Sequence, residues 1–370
     1  MRRLLVLVLM LAASPALARQ APRPEPTTRI VVYGPPPGVA RCEGRNVGIT
    51  TNAPFHPEAV TYHEGATSAA TVAGVVFGID AEGDPVDIKA MPGRVATTDL
   101  MAAFARWRFM AGPPARNCHV EVSRTVTPLA QATTASLLEI VAQRPREPLA
   151  EVRRAILARG DCGGASPPPA QISHPDLRGF EGRDFVGPWA GLLYDIDAEG
   201  VVRNVRVATQ GGDPVLAEMG AAAVAQSRYY PGRPVAGCYG SFSAKPKPAK
   251  APARTAPKPA ARSEERSQPR QEARPEPPCR IDQAGLNLSF ADIYPPALLR
   301  EQVQGWARVR FDISSSGQVT SLEVLEAQPL EAFGQAARTM LARARPAAGL
   351  RGQNRCEMPV AFSLPGGANP

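Results

Sequence analysis

Histidine is scarce: the chain has only four. His56 and His63 form the one candidate metal pair, and no carboxylate pair or free thiol accompanies them at ligand spacing, so both read as loop residues. No glycine-rich phosphate loop, nucleophile elbow or His-Glu-x-x-His motif occurs. Aromatic residues make up 6% of the chain, and no basic face interleaved with aromatics is visible, which argues against nucleic-acid binding. Beyond the N-terminal leader there is no apolar run of the ~20 residues that a spanning helix needs. These absences point away from an enzyme, a cofactor and a bound metal.

The chain has 40 prolines and 32 glycines in 370 residues, too many for one compact domain, so part of it is expected to be linker. The rest is organised by a repeat. FDISSSG at 311–317 echoes YDIDAEG at 194–200 and FGIDAEG at 77–83, with Gly83, Gly200 and Gly317 one fixed interval apart. Each copy reads as a strand entering a tight turn whose last position favours positive φ. Five residues beyond each glycine stand Ile88, Val205 and Leu322, and two further on Ala90, Val207 and Val324, so the second strand keeps one apolar face in every copy. A threefold repeat follows. Asp80, Glu82, Asp197 and Glu199 resemble paired acids but belong to these turns, and the third copy has Ser314 and Ser316 instead.

The six cysteines fall as Cys42 and Cys118, Cys162 and Cys238, Cys279 and Cys356, at separations of 76, 76 and 77 residues. One pair flanks each hairpin, which favours three disulfides, each within one unit. An exported chain fits that framework. Residues 1–18 read as a secretory signal: Met1-Arg2-Arg3, an apolar run through Ala13, then Ala16-Leu17-Ala18, with cleavage expected before Arg19. The expected location is the periplasm.

In chain order, residues 19–38 are expected as a proline-rich disordered lead-in, 39–128 as the first unit, 129–160 as a helical connector and 161–244 as the second unit. Residues 245–278 then form a Pro/Ala/Lys/Arg-rich linker, and 279–366 the third unit. The periodicity predicts helices over 98–109, after Asp213-Pro214, and around Leu330, Phe333, Ala337 and Met340. The connector carries two amphipathic patterns. The linker holds four Lys and five Arg against four Glu, so most of the basic excess is expected there rather than on a folded face, with the third unit as a separate head on a long tether.

Tyr294-Pro295-Pro296-Ala297, then WARVRFDISSSGQVTSLEVLEAQ, an Ala-rich helix, ARARPAAG and a closing MPVAFSL resemble the TonB C-terminal domain family. Units one and two resemble it more loosely, through His56-Pro57, His174-Pro175, WRFMAGPP and SRYYPGRP. The resemblance implies an α+β fold: three TonB-C-like units, each a three-stranded antiparallel sheet with packed helices. It also implies that the last strand grips a peptide of an outer-membrane receptor by strand addition. In this sequence that edge is Met358, Pro359, Val360, Ala361, Phe362, Ser363 and Leu364. The alternative is that this strand only completes its sheet. Pro359, lacking an N–H, suits the start of an edge strand. A cleavable leader departs from a membrane-anchored transducer, so energy coupling is not expected. The expected partners are envelope proteins, including TonB-dependent outer-membrane receptors. The alternative function is an envelope scaffold or cell-wall-binding module using the basic linker.

Overall fold

The computed structural model describes residues 27–62, 71–143, 150–253, 279, 281, 286 and 293–364. The expected leader, His63, most of the linker (254–278) and the tail lie outside the described residues.

The first strand, β1 (Thr27–Tyr33), falls inside the segment expected to be a disordered lead-in. Its TTRIVVY sequence is rich in β-branched residues, and Ile30, Val31 and Tyr33 are buried. The prolines around it dominate the composition of 19–38 and conceal it. β2 (Val39–Cys42), β3 (Arg45–Thr51), β4 (Glu58–Tyr62), β5 (Val72–Ile79) and β6 (Pro85–Ala90) follow. Then come α1 (Thr98–Phe104), β7 (Arg108–Phe109) and β8 (Ala115–Pro128). Thr97 caps α1 by accepting the Leu100 N–H. The helix stops short of the expected 109 because Phe109 pairs with Ile49 of β3, while the buried Trp107 donates its Nε1–H to the Ala53 carbonyl at 3.0 Å.

The connector forms α2 (Thr134–Gln143) and α3 (Ala150–Leu157), and unit two opens with the single turn α4 (Cys162–Ala165). Unit two contains β9 (Pro169–Gln171), β10 (Trp189–Ile196), β11 (Val202–Gly211), α5 (Pro214–Gln226), β12 (Arg228–Tyr229) and β13 (Val235–Ser243). Asp213 caps α5 through the Val215 N–H, with Pro214 at the first helical position, as its sequence predicts. Unit three contains α6 (Pro296–Arg300), β14 (Gly305–Ile313), β15 (Val319–Gln328), α7 (Glu331–Ala342) and β16 (Cys356–Phe362).

The fold is mixed α and β, with several small antiparallel sheets and few helices. In each unit the first hairpin strand (β5, β10, β14) lies between the second (β6, β11, β15) and the last (β8, β13, β16). The hairpin glycines Gly83, Gly200 and Gly317 have φ of +88°, +79° and +83°, the left-handed region that a Cβ disfavours. Three disulfides join Cys42 to Cys118, Cys162 to Cys238 and Cys279 to Cys356. Unit one departs from a three-stranded plan. Among the described residues its sheet has eight strands, since β1, β4, β2, β3 and β7 extend beyond β8.

The connector bridges units one and two. Leu137, Leu138, Ile140 and Val141 of α2 pack with Val152 and Ile156 of α3, with Ile30 of β1 and with Leu193 of β10. Gly191 makes room for α2: a Cβ there would lie 2.7 Å from the Leu138 Cβ.

Units one and three share one buried apolar cluster, which includes Ile88 and Leu100 from the first and Leu298, Leu330 and Phe333 from the third. The third unit is therefore not a separate head. The Ile88 N–H donates to the Pro329 carbonyl at 2.9 Å, and the Asp87 N–H to Gln328 Oε1 at 2.9 Å. Residues 245–253, expected in the linker, are tied down as well. The Ala249 N–H donates to the Gln302 carbonyl at 2.8 Å, and Trp306 Nε1–H to the Pro252 carbonyl at 2.9 Å. Their low-complexity composition hides this, because the anchoring groups are backbone.

Candidate functional site

The residues expected at the binding edge are divided by the strand's alternation. Met358, Val360 and Phe362 are buried, and the Phe362 ring lies 5.0 Å from that of Phe333 on α7. Pro359 is exposed and Ala361 half-buried on the other face. The strand runs Cys356–Phe362, two residues earlier than expected at each end, because it pairs with β14 from Phe311↔Cys356 to Gly305↔Phe362. Ser363 and the buried Leu364 follow it.

The backbone of β16 fixes what the edge can offer. The Glu357 N–H turns away from β14 and donates to the Cys279 carbonyl at 2.9 Å. Along an antiparallel strand the N–H and C=O of one residue point to the same side, and the side alternates. Pro359 and Ala361 therefore face outward with Glu357. Pro359 has no N–H and the Glu357 N–H is engaged, which leaves Ala361 as the strand's outward donor, beside the carbonyls of Glu357, Pro359 and Ala361. An incoming extended segment would find its backbone partners toward the Ala361 end.

Beside the edge, the exposed sheet face is a charged ladder. Arg310 Nη2 lies 2.7 Å from Glu357 Oε1 and Nη1 lies 3.3 Å from Glu323 Oε2, while Arg308 Nη2 lies 3.5 Å from Glu326 Oε2. Hydrogen bonding to Glu357 holds the Arg310 guanidinium above its ordinary pKa.

The corresponding strand edges elsewhere differ: that of unit one is covered, while β13 of unit two is an outer strand of its sheet, as β16 is. In unit one β8 is flanked by β1, in register from Arg29↔Pro128 to Tyr33↔Arg124, and by β2 at Arg41↔His119. In unit two the Asp161 N–H donates to the Ala236 carbonyl of β13 at 2.8 Å. In all three units, then, the segment bearing the first cysteine lies against the start of the last strand, and the disulfide holds it there. The opposite edge of unit three, β15, ends against β6 through Pro329 and Ile88.

A second polar centre lies where the units meet. Arg106 is 1% exposed. Its Nη1 donates to the carbonyls of Lys247 at 2.9 Å and Glu301 at 2.6 Å, and its Nη2 to that of Phe185. One guanidinium thus ties unit one to unit two, to the segment after it and to unit three. Burial lowers the Arg106 pKa to about 10, against the opposing pull of Glu301. Burial likewise raises the Glu301 carboxyl above its usual range, with His56 and Arg106 opposing. Nearby, Glu58 is buried and accepts hydrogen bonds from Thr97 at 2.8 Å and Tyr33 at 3.2 Å. His56, expected as a loop residue, is paired with Glu139 at 2.9 Å. The cavity among these groups is about 50 Å³, room for water rather than a substrate. Sequence reasoning missed Arg106 because nothing local distinguishes it from an exposed arginine following a helix.

Asp80 and Asp197, the turn acids, accept the N–H groups of Asp84 and Val201 respectively, each at 2.7 Å, which is turn chemistry. Among the described residues no group of three His, Cys, Asp or Glu is placed to hold a metal, and no helix is long and apolar enough to cross a membrane.

Comparison with curated proteins gives no match. Residues 291–364 match the family described as Gram-negative bacterial TonB protein C-terminal; the third unit, from the segment before α6 through Leu364, carries that family's sequence pattern.

Proposed function

We propose that this chain is an exported, non-enzymatic TonB-family protein of the periplasm that binds envelope proteins by strand addition to β16. Units one and two are read as further copies of the same domain, on the strength of the shared strand order, the hairpin glycines and the placement of the disulfides. TonB-dependent outer-membrane receptors are the proposed partners. The observation that carries this reading is the outer edge of β16, which has no described strand beside it and keeps the Ala361 N–H outward, within the segment that matches the family.

Deleting the whole strand would be uninformative, because it strips Met358, Val360 and Phe362 from the core. Ala361→Pro removes the outward donor and leaves those side chains in place. The experiment immobilises the protein, applies detergent-solubilised outer membrane and elutes with a receptor-box peptide. Transporters released by the peptide, and peptide binding at least about fivefold weaker in Ala361→Pro, support the reading. Unchanged binding in that variant contradicts it.

The shared core of units one and three and the Arg106 tie favour a second reading, a rigid envelope scaffold without a role in energy transduction. Retention of cell-wall fragments or other periplasmic proteins, with no transporter, would select it.

A further inference from the structure

Unit three has one end that units one and two lack. From residue 332 to residue 356 the sequence holds five arginines and no acidic residue: Arg338, Arg343, Arg345, Arg351 and Arg355. All five are exposed. The chain's course carries the last four toward the turn end of the unit. α7 starts beside the end of β15, opposite the hairpin turn, so its C-terminus returns to the turn. β16 then leaves from the same end, with Cys356 opposite Phe311. The loop between them is stitched to the turn: the Ile313 N–H donates to the Gln353 carbonyl at 2.7 Å, the Gly352 N–H donates to the Ser314 carbonyl at 3.2 Å, and the Arg351 side chain lies over Gly317.

The turn itself provides a separate observation. In units one and two it carries Asp80 with Glu82 and Asp197 with Glu199; Arg203 pairs with Asp197 at 2.9 Å, and in unit one Arg108 pairs with Asp84, just past the turn glycine, at 2.8 Å. In unit three the matching positions are Ser314 and Ser316. The end that gains arginines has thus lost its turn acids. Asp312, at the foot of the hairpin, accepts the Arg355 N–H at 2.7 Å, which holds its carboxyl below the usual range. The linker still carries most of the net basic excess, but this end corrects the expectation that the folded units show no basic patch.

We propose that this arginine-rich end of unit three is a docking surface for an anionic lipid membrane. Guanidinium groups match phosphate oxygens in pairs. No aromatic residue occurs between Phe333 and Phe362, so the patch lacks the stacking platform of a single-strand nucleic-acid site. Between Arg345 and Arg351 the sequence is Pro-Ala-Ala-Gly-Leu; Leu350 packs against the core, and the small residues before it let the flanking guanidinium groups come close to a headgroup layer. The proposal is independent of strand addition at β16.

The test is co-sedimentation of the full chain with vesicles of phosphatidylethanolamine and phosphatidylglycerol, beside neutral vesicles of phosphatidylethanolamine and phosphatidylcholine. Each arginine near an anionic surface contributes about a fivefold gain in partitioning. The combined variant Arg343→Ser, Arg345→Ser, Arg351→Ser, Arg355→Ser should therefore lose more than about 100-fold, with an unchanged circular dichroism spectrum. The matching Arg→Lys variant should keep salt-sensitive retention, and neutralising Lys and Arg within 254–278 should cost far less. Equal binding to neutral vesicles, loss through the linker variant alone, or retention on isolated cell wall but not on vesicles would each overturn the proposal.

Discussion

Arg106 shows how one side chain can set the relation between units. Its guanidinium serves carbonyls from three separate stretches, Phe185, Lys247 and Glu301, and its charge faces a Glu301 carboxylate that burial already disfavours. Removing one partner of a buried charged set leaves the others unsatisfied, so Arg106→Ala should lower stability by about 3 kcal/mol or more. Chemical denaturation measures that loss. A variant with wild-type stability would remove Arg106 from the account. None of this is visible locally in the sequence, where Arg106 is one of two arginines around Trp107; its role depends on partners about 80 to 200 positions away, which periodicity does not report. The cysteines are the opposite case, since their matched spacing marked the three pairs directly.

Among elements, the hairpins and principal helices were legible because their signals are local: alternation, a glycine at positive φ, and a cap followed by proline. α5 carries a testable consequence. Hydrogen bonding from the Val215 N–H holds the Asp213 carboxyl below its usual range, and Arg183 adds to this. A depressed carboxyl contributes stability that is present above its unfolded pKa and is lost as pH falls through its folded value. Acid titration of the melting temperature should therefore be shallower in Asp213→Asn than in the parent, and parallel titrations would refute the cap's contribution. β1 was not legible, because a seven-residue strand sat within a proline-rich stretch. The expected binding edge was legible as a strand but not as an edge. Which backbone groups face outward depends on register, and register places the Pro359 ring and the engaged Glu357 N–H on the open side.

At the scale of the whole molecule, the linker composition suggested a tethered head, while the structure joins units one and three in one core and fastens residues 245–253 across units two and three. Composition identifies chain that cannot bury apolar surface by itself, but not chain that folds onto neighbours through its backbone. The consequence for function is selective. The last strand of unit one is flanked by β1 and β2, whereas β13 of unit two and β16 of unit three are outer strands, each met at its start by the segment bearing the first cysteine; β16, within the segment that matches the family, keeps an outward donor at Ala361. Strand addition is read out by residue-resolved amide exchange of the full chain with and without a receptor-box peptide. Added peptide should slow exchange at Ala361 while the β8 amides of unit one stay unchanged. Peptide binding that leaves the Ala361 amide as fast as before would contradict strand addition at β16.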